Sequence, residues 1–248
     1  MKFTFILGYR HKQDRYLNLR RVLNWMLSFE GSEIILIEQD KTSKLEQINL
    51  NLKYHFVYSD QPYNRSWAFN IGTKYASNGI LIYTDSDLII KNESLLKAVE
   101  MMKDYDVISP YDKVIDLSYE ESKLHYDLFI KIKREGRGEV DNQTINLCGG
   151  MTIFTKAAIG NIGGWSEKFT TWGGEDDFQT IKVEKFLKYK ILEDNCYHLF
   201  HNKQEIDMDK YMNNLKFLNL SKKFNEQQLI NEINLGVRTN GKKNKFLK

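Results

Sequence analysis

Proline is almost missing, with 2 in 248 residues. Pro-rich linkers and collagen-like arrays are thereby excluded. Cysteine is as scarce, with only Cys148 and Cys196. Two thiols build neither a disulfide framework nor a four-cysteine zinc site, and they fit a reduced, cytosolic chain. No apolar run reaches the ~18–20 residues of a membrane span. The opening Met1–Gly8 run is basic and then apolar, but it turns polar at Tyr9-Arg10-His11-Lys12, too early for a signal peptide. An excess of one charge is lacking too. The 36 basic and 33 acidic residues leave +3, too balanced to demand nucleic acid. No Walker loop, Gly-x-Gly-x-x-Gly or Ser-His-Asp order occurs.

What is present is ordinary globular usage, 42% hydrophobic and 28% charged, which argues against disorder. Aromatics at 13% are high and hint at a ligand cleft. Buried strands are expected at Phe3–Leu7, Glu33–Glu38, Tyr54–Ser59, Ile80–Thr84 and Val107–Ser109. Helices are expected from Asp14, over Asn64–Ser77 and Glu93–Lys103, as an exposed helix over 119–134, and from Glu175. Strand–helix alternation with continuous apolar strands implies an α/β fold with a mainly parallel central sheet and flanking helices. Its ligand belongs at the carboxyl ends of the strands. The expected division is one domain over 1–203, in two halves that meet near residue 90. A helical, basic C-terminal extension follows over 204–248, with helical pieces near Tyr211–Leu220 and Glu226–Ile233. Residues from Gly241 are expected to fray. Gly136 and Gly138 mark a mobile loop, expected to order over 134–143 when a donor binds.

Four constellations carry chemistry. Asp85-Ser86-Asp87 follows a strand; on extended backbone its two carboxylates share a side and can address a divalent ion and a ribose or phosphate. A polar turn is the plain alternative. Trp172-Gly173-Gly174-Glu175-Asp176-Asp177 joins close-approach glycines to an acidic helix start. Capping explains the acids but not the tryptophan, a typical sugar platform. His198-Leu199-Phe200-His201 puts two imidazoles on one face of a helical turn, two ligands to complete a site begun by Asp87. Arg65 opens a helix that carries Asn70-Ile71-Gly72, and it can meet phosphate or a base, as can Arg10.

In chain order, Tyr9-Arg10, Asn64-Arg65 with Asn70-Ile71-Gly72, Asp85-Ser86-Asp87, Gly149-Gly150, Gly163-Gly164-Trp165, Trp172–Asp177 and Cys196–His201 resemble the metal-dependent glycosyltransferases of GT-A fold. The likeness is greatest to the β-1,4-galactosyltransferase type and to glycosyltransferase family 2, over about residues 3–203. The resemblance implies Mn2+ (or Mg2+) on Asp87, His198 and His201, and a UDP-sugar donor against Tyr9, Arg10, Glu38, Arg65, Asp85, Ser86, Leu147 and Gly150. It implies a saccharide or glycoconjugate acceptor on Trp172, Gly174 and Glu175, with Asp176 as general base in an inverting transfer. A helix N-terminus should lower the Asp176 pKa, which weakens a base. The family's galactose-restricting tyrosine aligns with Leu147, so galactose, N-acetylgalactosamine and glucose donors all stay open. The family's animal members carry a membrane anchor; without one, a bacterial or viral cytoplasmic enzyme of surface glycan or polysaccharide synthesis is expected. A non-catalytic carbohydrate-binding module is the alternative. The late lysines suggest at most a weak membrane-surface contact, and no nucleic acid is expected.

Overall fold

The computed structural model describes residues 2–45, 51–137, 146–203 and 205–246. Its centre is a seven-stranded sheet of order β3-β2-β1-β4-β8-β6-β9. The first four neighbours are β3 (Lys53–Tyr58), β2 (Glu33–Asp40), β1 (Thr4–Tyr9) and β4 (Ile80–Thr84). They run parallel, with Phe5 beside Ile34 and Ile82. Antiparallel β8 (Thr152–Thr155) joins them to β6 (Val107–Ser109) and β9 (Tyr189–Ile191). The expected mainly parallel sheet is thus present.

The strand period of two divides the core. Phe5, Leu7 and Tyr9 face one cluster with Leu19, Val22, Leu23 and Met26 of α1 (Gln13–Leu27). Ile6 faces the other, with Trp67, Phe69 and Ile71 of α2 (Arg65–Tyr75). Both faces are covered, so β1 and β2 are buried along nearly their whole length rather than at alternate residues. Helices α3 (Asn92–Met101), α5 (Lys156–Asn161) and α6 (Glu175–Phe186) complete the layers.

A second sheet of order β5-β10-β7 lies outside the expected pattern. It joins β5 (Leu88–Ile90), β10 (Asn195–His198) and β7 (Lys113–Asp116), and it seats His198 between Leu88 and Asp116. This pairing carries a late histidine to the residue that follows Asp87.

Three expectations are corrected. Residues 119–134 form no continuous helix: a 3₁₀ turn covers Glu121–Lys123, and α4 spans only Tyr126–Phe129. Arg21 takes the carbonyls of Ser122, Lys123 and Leu124, so tertiary bonds replace the helical ladder there. Gly136 sits against paired backbone rather than in an open loop. It precedes the bridge that pairs Val114 with Arg137, and an added Cβ there would stand 2.7 Å from the Val114 carbonyl oxygen. Gly138 and the rest of the expected loop lie outside the described residues. The segment after Gly241 is not frayed up to 246. Trp67 Nε1 donates to the Lys242 carbonyl at 3.0 Å, and Lys245 pairs with buried Glu167 at 2.8 Å. Helices α7 (Met208–Ser221) and α8 (Glu226–Thr239) pack on α6 through Phe178, Leu218 and Leu229. Among the described residues no helix is long and apolar enough to cross a membrane.

Candidate active site

Strand β4 ends at Thr84, and Asp85-Ser86-Asp87 turns there instead of extending. The two carboxylates therefore serve different partners, which corrects the reading of a shared face.

Asp85 faces Arg65. Asn64 caps α2 with its side chain on the Trp67 N–H at 2.8 Å, and this fixes the start of the helix at Arg65. The Arg65 guanidinium is almost buried, at 8% exposure. Nε donates to Asp85 Oδ1 at 2.6 Å, Nη2 to the Gly150 carbonyl at 2.9 Å, and Nη1 to Asp176 Oδ1. Glu175 stands 4.0 Å from Nη1. The rings of Phe69 and Trp165 flank the cation at 4.7 and 5.6 Å. One guanidinium thus answers three carboxylates. Burial and then the shortfall of positive charge push Asp85, Glu175 and Asp176 upward, with Arg65 opposing. Burial, together with the neighbouring carboxylates, overturns the expected lowering of Asp176 by its helix terminus. The Asp85 and Asp176 side chains keep 39% and 27% exposure, so a ligand can reach them.

Gly150 belongs here because of its backbone. It has φ +68°, and a Cβ would lie 2.5 Å from the Tyr111 hydroxyl and 2.6 Å from Leu88. No other residue would let its carbonyl meet Arg65 in this passage.

Asp87 has other partners, His198 and His201. Ligand atoms of the three lie within 4.8 Å of one another. His198 Nδ1 bonds Asp116 Oδ1 at 2.8 Å, and its Nε2 stands 3.9 Å from Asp87 Oδ1. His201 Nδ1 bonds the Asn202 carbonyl at 2.9 Å, and its Nε2 stands 3.5 Å from Asp87 Oδ2. In both rings Nδ1 is held by an oxygen acceptor, which leaves Nε2 as a lone-pair donor toward Asp87. That is a fit for a cation. The histidines do not share a helical turn, since His198 ends a strand. Arg15 also lies here, 3.3 Å from Asp87 Oδ2 and 3.2 Å from His201 Nε2, so its guanidinium shares the atoms a cation would use. Neither Arg15 nor Asp116 stands out in the sequence. A basic run after the first strand is the only signal for the former, and β7 was needed to find the latter.

The residues expected to meet a nucleotide are placed differently from one another. Arg10 Nε donates to the Gln39 carbonyl at 2.8 Å, while its buried Nη2 has no partner among the described residues. That is a donor in want of an acceptor, at the carboxyl ends of β1 and β2. Glu38 is instead engaged by the Tyr54 hydroxyl at 2.5 Å and the Lys44 and Leu45 N–H groups, so it shapes the loop beside the cleft. Tyr9 is buried, its phenol pushed up to about 12 by burial, and Leu147 lies in the second core cluster. Ser86 is buried within the turn. Trp172 stands 59% exposed, and Gly174 caps α6 at φ +94°.

Fold and site together define a glycosyltransferase of GT-A fold. The description Glycosyl transferase family 2 matches residues 15–163, well over half of the chain, and the chain belongs to that family. A second description, N-terminal domain of galactosyltransferase, matches residues 139–201. Among solved structures, Staphylococcus aureus TarS 1–349 in complex with UDP-GlcNAc is similar at 15% identity and TM-score 0.62. The match covers 94% of this chain and 70% of that one. Drosophila β-1,4-galactosyltransferase 7, a mutant in complex with manganese, UDP-Gal and xylobiose, is similar at 15% identity and TM-score 0.54. There the match covers 91% of this chain and 81% of that one. At such identities the likeness is one of fold. No curated protein matches the chain.

Proposed function

We propose that the chain moves a sugar from a UDP-sugar to a hydroxyl of a saccharide acceptor, with inversion at the transferred carbon. The observation that carries this is the 85–87 turn: it holds an acid–guanidinium cluster on one side and a carboxylate–imidazole cluster on the other. The ligands in the TarS and Drosophila structures support the same classes of donor and acceptor.

A divalent ion on Asp87, His198 Nε2 and His201 Nε2 would neutralise the charge that gathers on the departing diphosphate. The mixed nitrogen and oxygen set favours Mn2+ over Mg2+. Arg10 and Asp85 line the nucleotide and sugar side, and Trp172, Gly174 and Glu175 the acceptor side. Asp176 accepts the acceptor's hydroxyl proton as that oxygen bonds to C1. The C1–O bond to UDP breaks, and its electron pair leaves with the diphosphate. Arg65 aims the Asp176 carboxylate and balances its charge. The donor half is assigned to about 1–90 and the acceptor half to 91–203, with 204–248 as an extension.

The test is a panel of UDP-sugars with Mn2+, read as UDP release with and without saccharide acceptors. Metal-dependent release that rises with one acceptor supports the reading. Saccharide binding with no UDP release from any donor overturns it in favour of a carbohydrate-binding module.

A further inference from the structure

The acceptor side rests on one short loop, and that loop is held from outside. Thr171 has φ +65°, a left-handed conformation strained for a β-branched residue. Its N–H donates to the Tyr63 carbonyl at 2.9 Å. The next residue, Trp172, is 59% exposed, whereas Trp25, Trp67 and Trp165 are buried. Left to packing alone, a ring of this size would be covered.

Helix α7 grips the loop at three points. Tyr211 lays its ring 5.4 Å from that of Trp172, with 32° between the planes. The same ring covers Gly173 so closely that a Cβ there would meet Tyr211 at 2.8 Å. One turn later, Asn214 Nδ2 donates to the carbonyls of Thr170 at 2.8 Å and Trp172 at 3.2 Å. These bonds bracket the strained residue on both sides. The Tyr211 hydroxyl makes no hydrogen bond among the described residues.

We infer that α7 completes the acceptor site: Tyr211 and Trp172 form a two-ring corner that receives the pyranose ring of the saccharide acceptor, and Asn214 is its positioning residue. The inference rests on the transferase reading above and adds a contact from the C-terminal extension. A pyranose has an apolar C–H face and a hydroxyl rim. The open face of Trp172 suits the first, and the free phenol of Tyr211, a donor and acceptor, suits the second.

The experiment uses the full chain with Tyr211→Ala, Tyr211→Phe and Asn214→Ala, each checked by its melting curve. With the best donor and acceptor of the panel, Tyr211→Ala should raise the acceptor KM tenfold or more. Tyr211→Phe should recover the stacking part of that loss, and Asn214→Ala should raise the same KM. A folded Tyr211→Ala protein with an unchanged acceptor KM overturns the inference while leaving the transferase reading intact. Saccharide quenching of tryptophan fluorescence, for which Trp172 is the exposed reporter, reads the corner without turnover. Quenching in the parent that is lost in Tyr211→Ala supports the inference even if no donor is used; quenching equal in both, or in neither, overturns it.

Discussion

Arg65 and Asp176 are joined directly. Nη1 of the first residue of α2 donates to Oδ1 of the second residue of α6, 111 residues further along the chain. The bond ties the two helices whose N-termini face the 85–87 turn. Because Asp85 and Glu175 share the same cation, the cluster holds more negative than positive charge.

Arg65→Met should therefore destabilise the fold through repulsion rather than lost packing alone. Breaking a buried pair costs about 3–5 kcal/mol, and partial exposure of Asp85 and Asp176 reduces that to about 1–3. Adding Asp176→Asn to Arg65→Met should recover part of the loss, because one of the unanswered charges is removed. A double-mutant cycle by chemical denaturation reads this directly. Additive losses would mean that the three carboxylates do not share the cation.

Arg15 bears on the proposed metal site. Its guanidinium stands 3.3 Å from Asp87 and 3.2 Å from His201, a fixed cation beside the ligands a divalent ion would use. Two cations there repel and compete for Asp87. Arg15→Gln should tighten Mn2+ binding several-fold, whereas Asp87→Ala should abolish it. Asp116→Ala should weaken it about 10–100-fold, since the His198 ring loses the acceptor that orients it. Titration of free Mn2+ by electron paramagnetic resonance measures all three. Activity that persists in excess chelator would remove the metal from the scheme.

Legibility in the sequence followed the length and burial of each element. Ile80–Thr84 is one continuous apolar run, and it was found with its boundaries intact. The residues of β10, Asn195–His198, are too short and too polar to read as a strand. Their partner strands are as brief, so the second sheet was invisible. That gap is why His198 and His201 were picked out as a pair but assigned to a helical turn. It also hid Asp116, which reaches His198 only through pairing of segments 82 residues apart. The Trp-Gly-Gly-Glu-Asp-Asp run stood out because its oddities have local causes. Gly173 and Gly174 take φ +99° and +94°, and the acids open a helix. The rise in the Asp176 pKa is not legible, since its burial and its nearness to Asp85, which outweigh Arg65, arise only by folding.

Acid should loosen the edge of the fold near the start of β2. Glu33 accepts from Thr4 at 2.5 Å, from Lys53 at 2.5 Å and from the Ser77 N–H at 2.9 Å. These bonds outweigh burial and hold its carboxyl at about 2, below the ordinary 4.5. A group whose folded pKa is depressed stabilises fully above its unfolded pKa. That contribution is lost as pH falls from about 4.5 to about 2. Glu33→Gln should cost about 1–3 kcal/mol at pH 7 and nearly nothing at pH 2. Urea melts at the two pH values check the difference.

The Asp176 assignment makes the sharpest demand. Asp176→Asn keeps the shape and an oxygen acceptor for Arg65 but cannot take a proton. General base catalysis contributes about 10²–10⁴-fold, so turnover at saturating acceptor should fall by that order. Donor binding should survive, because Asp85, Arg10 and the Asp87 cluster are untouched. The parent's rate should rise with pH through a step lying above the usual carboxylate range, because burial and the neighbouring carboxylates delay the loss of the Asp176 proton. In Asp176→Asn that step should vanish from what activity remains. Glu175→Gln should differ, raising the acceptor's KM while keeping the step. If both acids only capped α6, each change would cost stability of about 1 kcal/mol and leave the pH profile alone. A folded Asp176→Asn protein with near-parental turnover would move the base to Glu175 or Asp177.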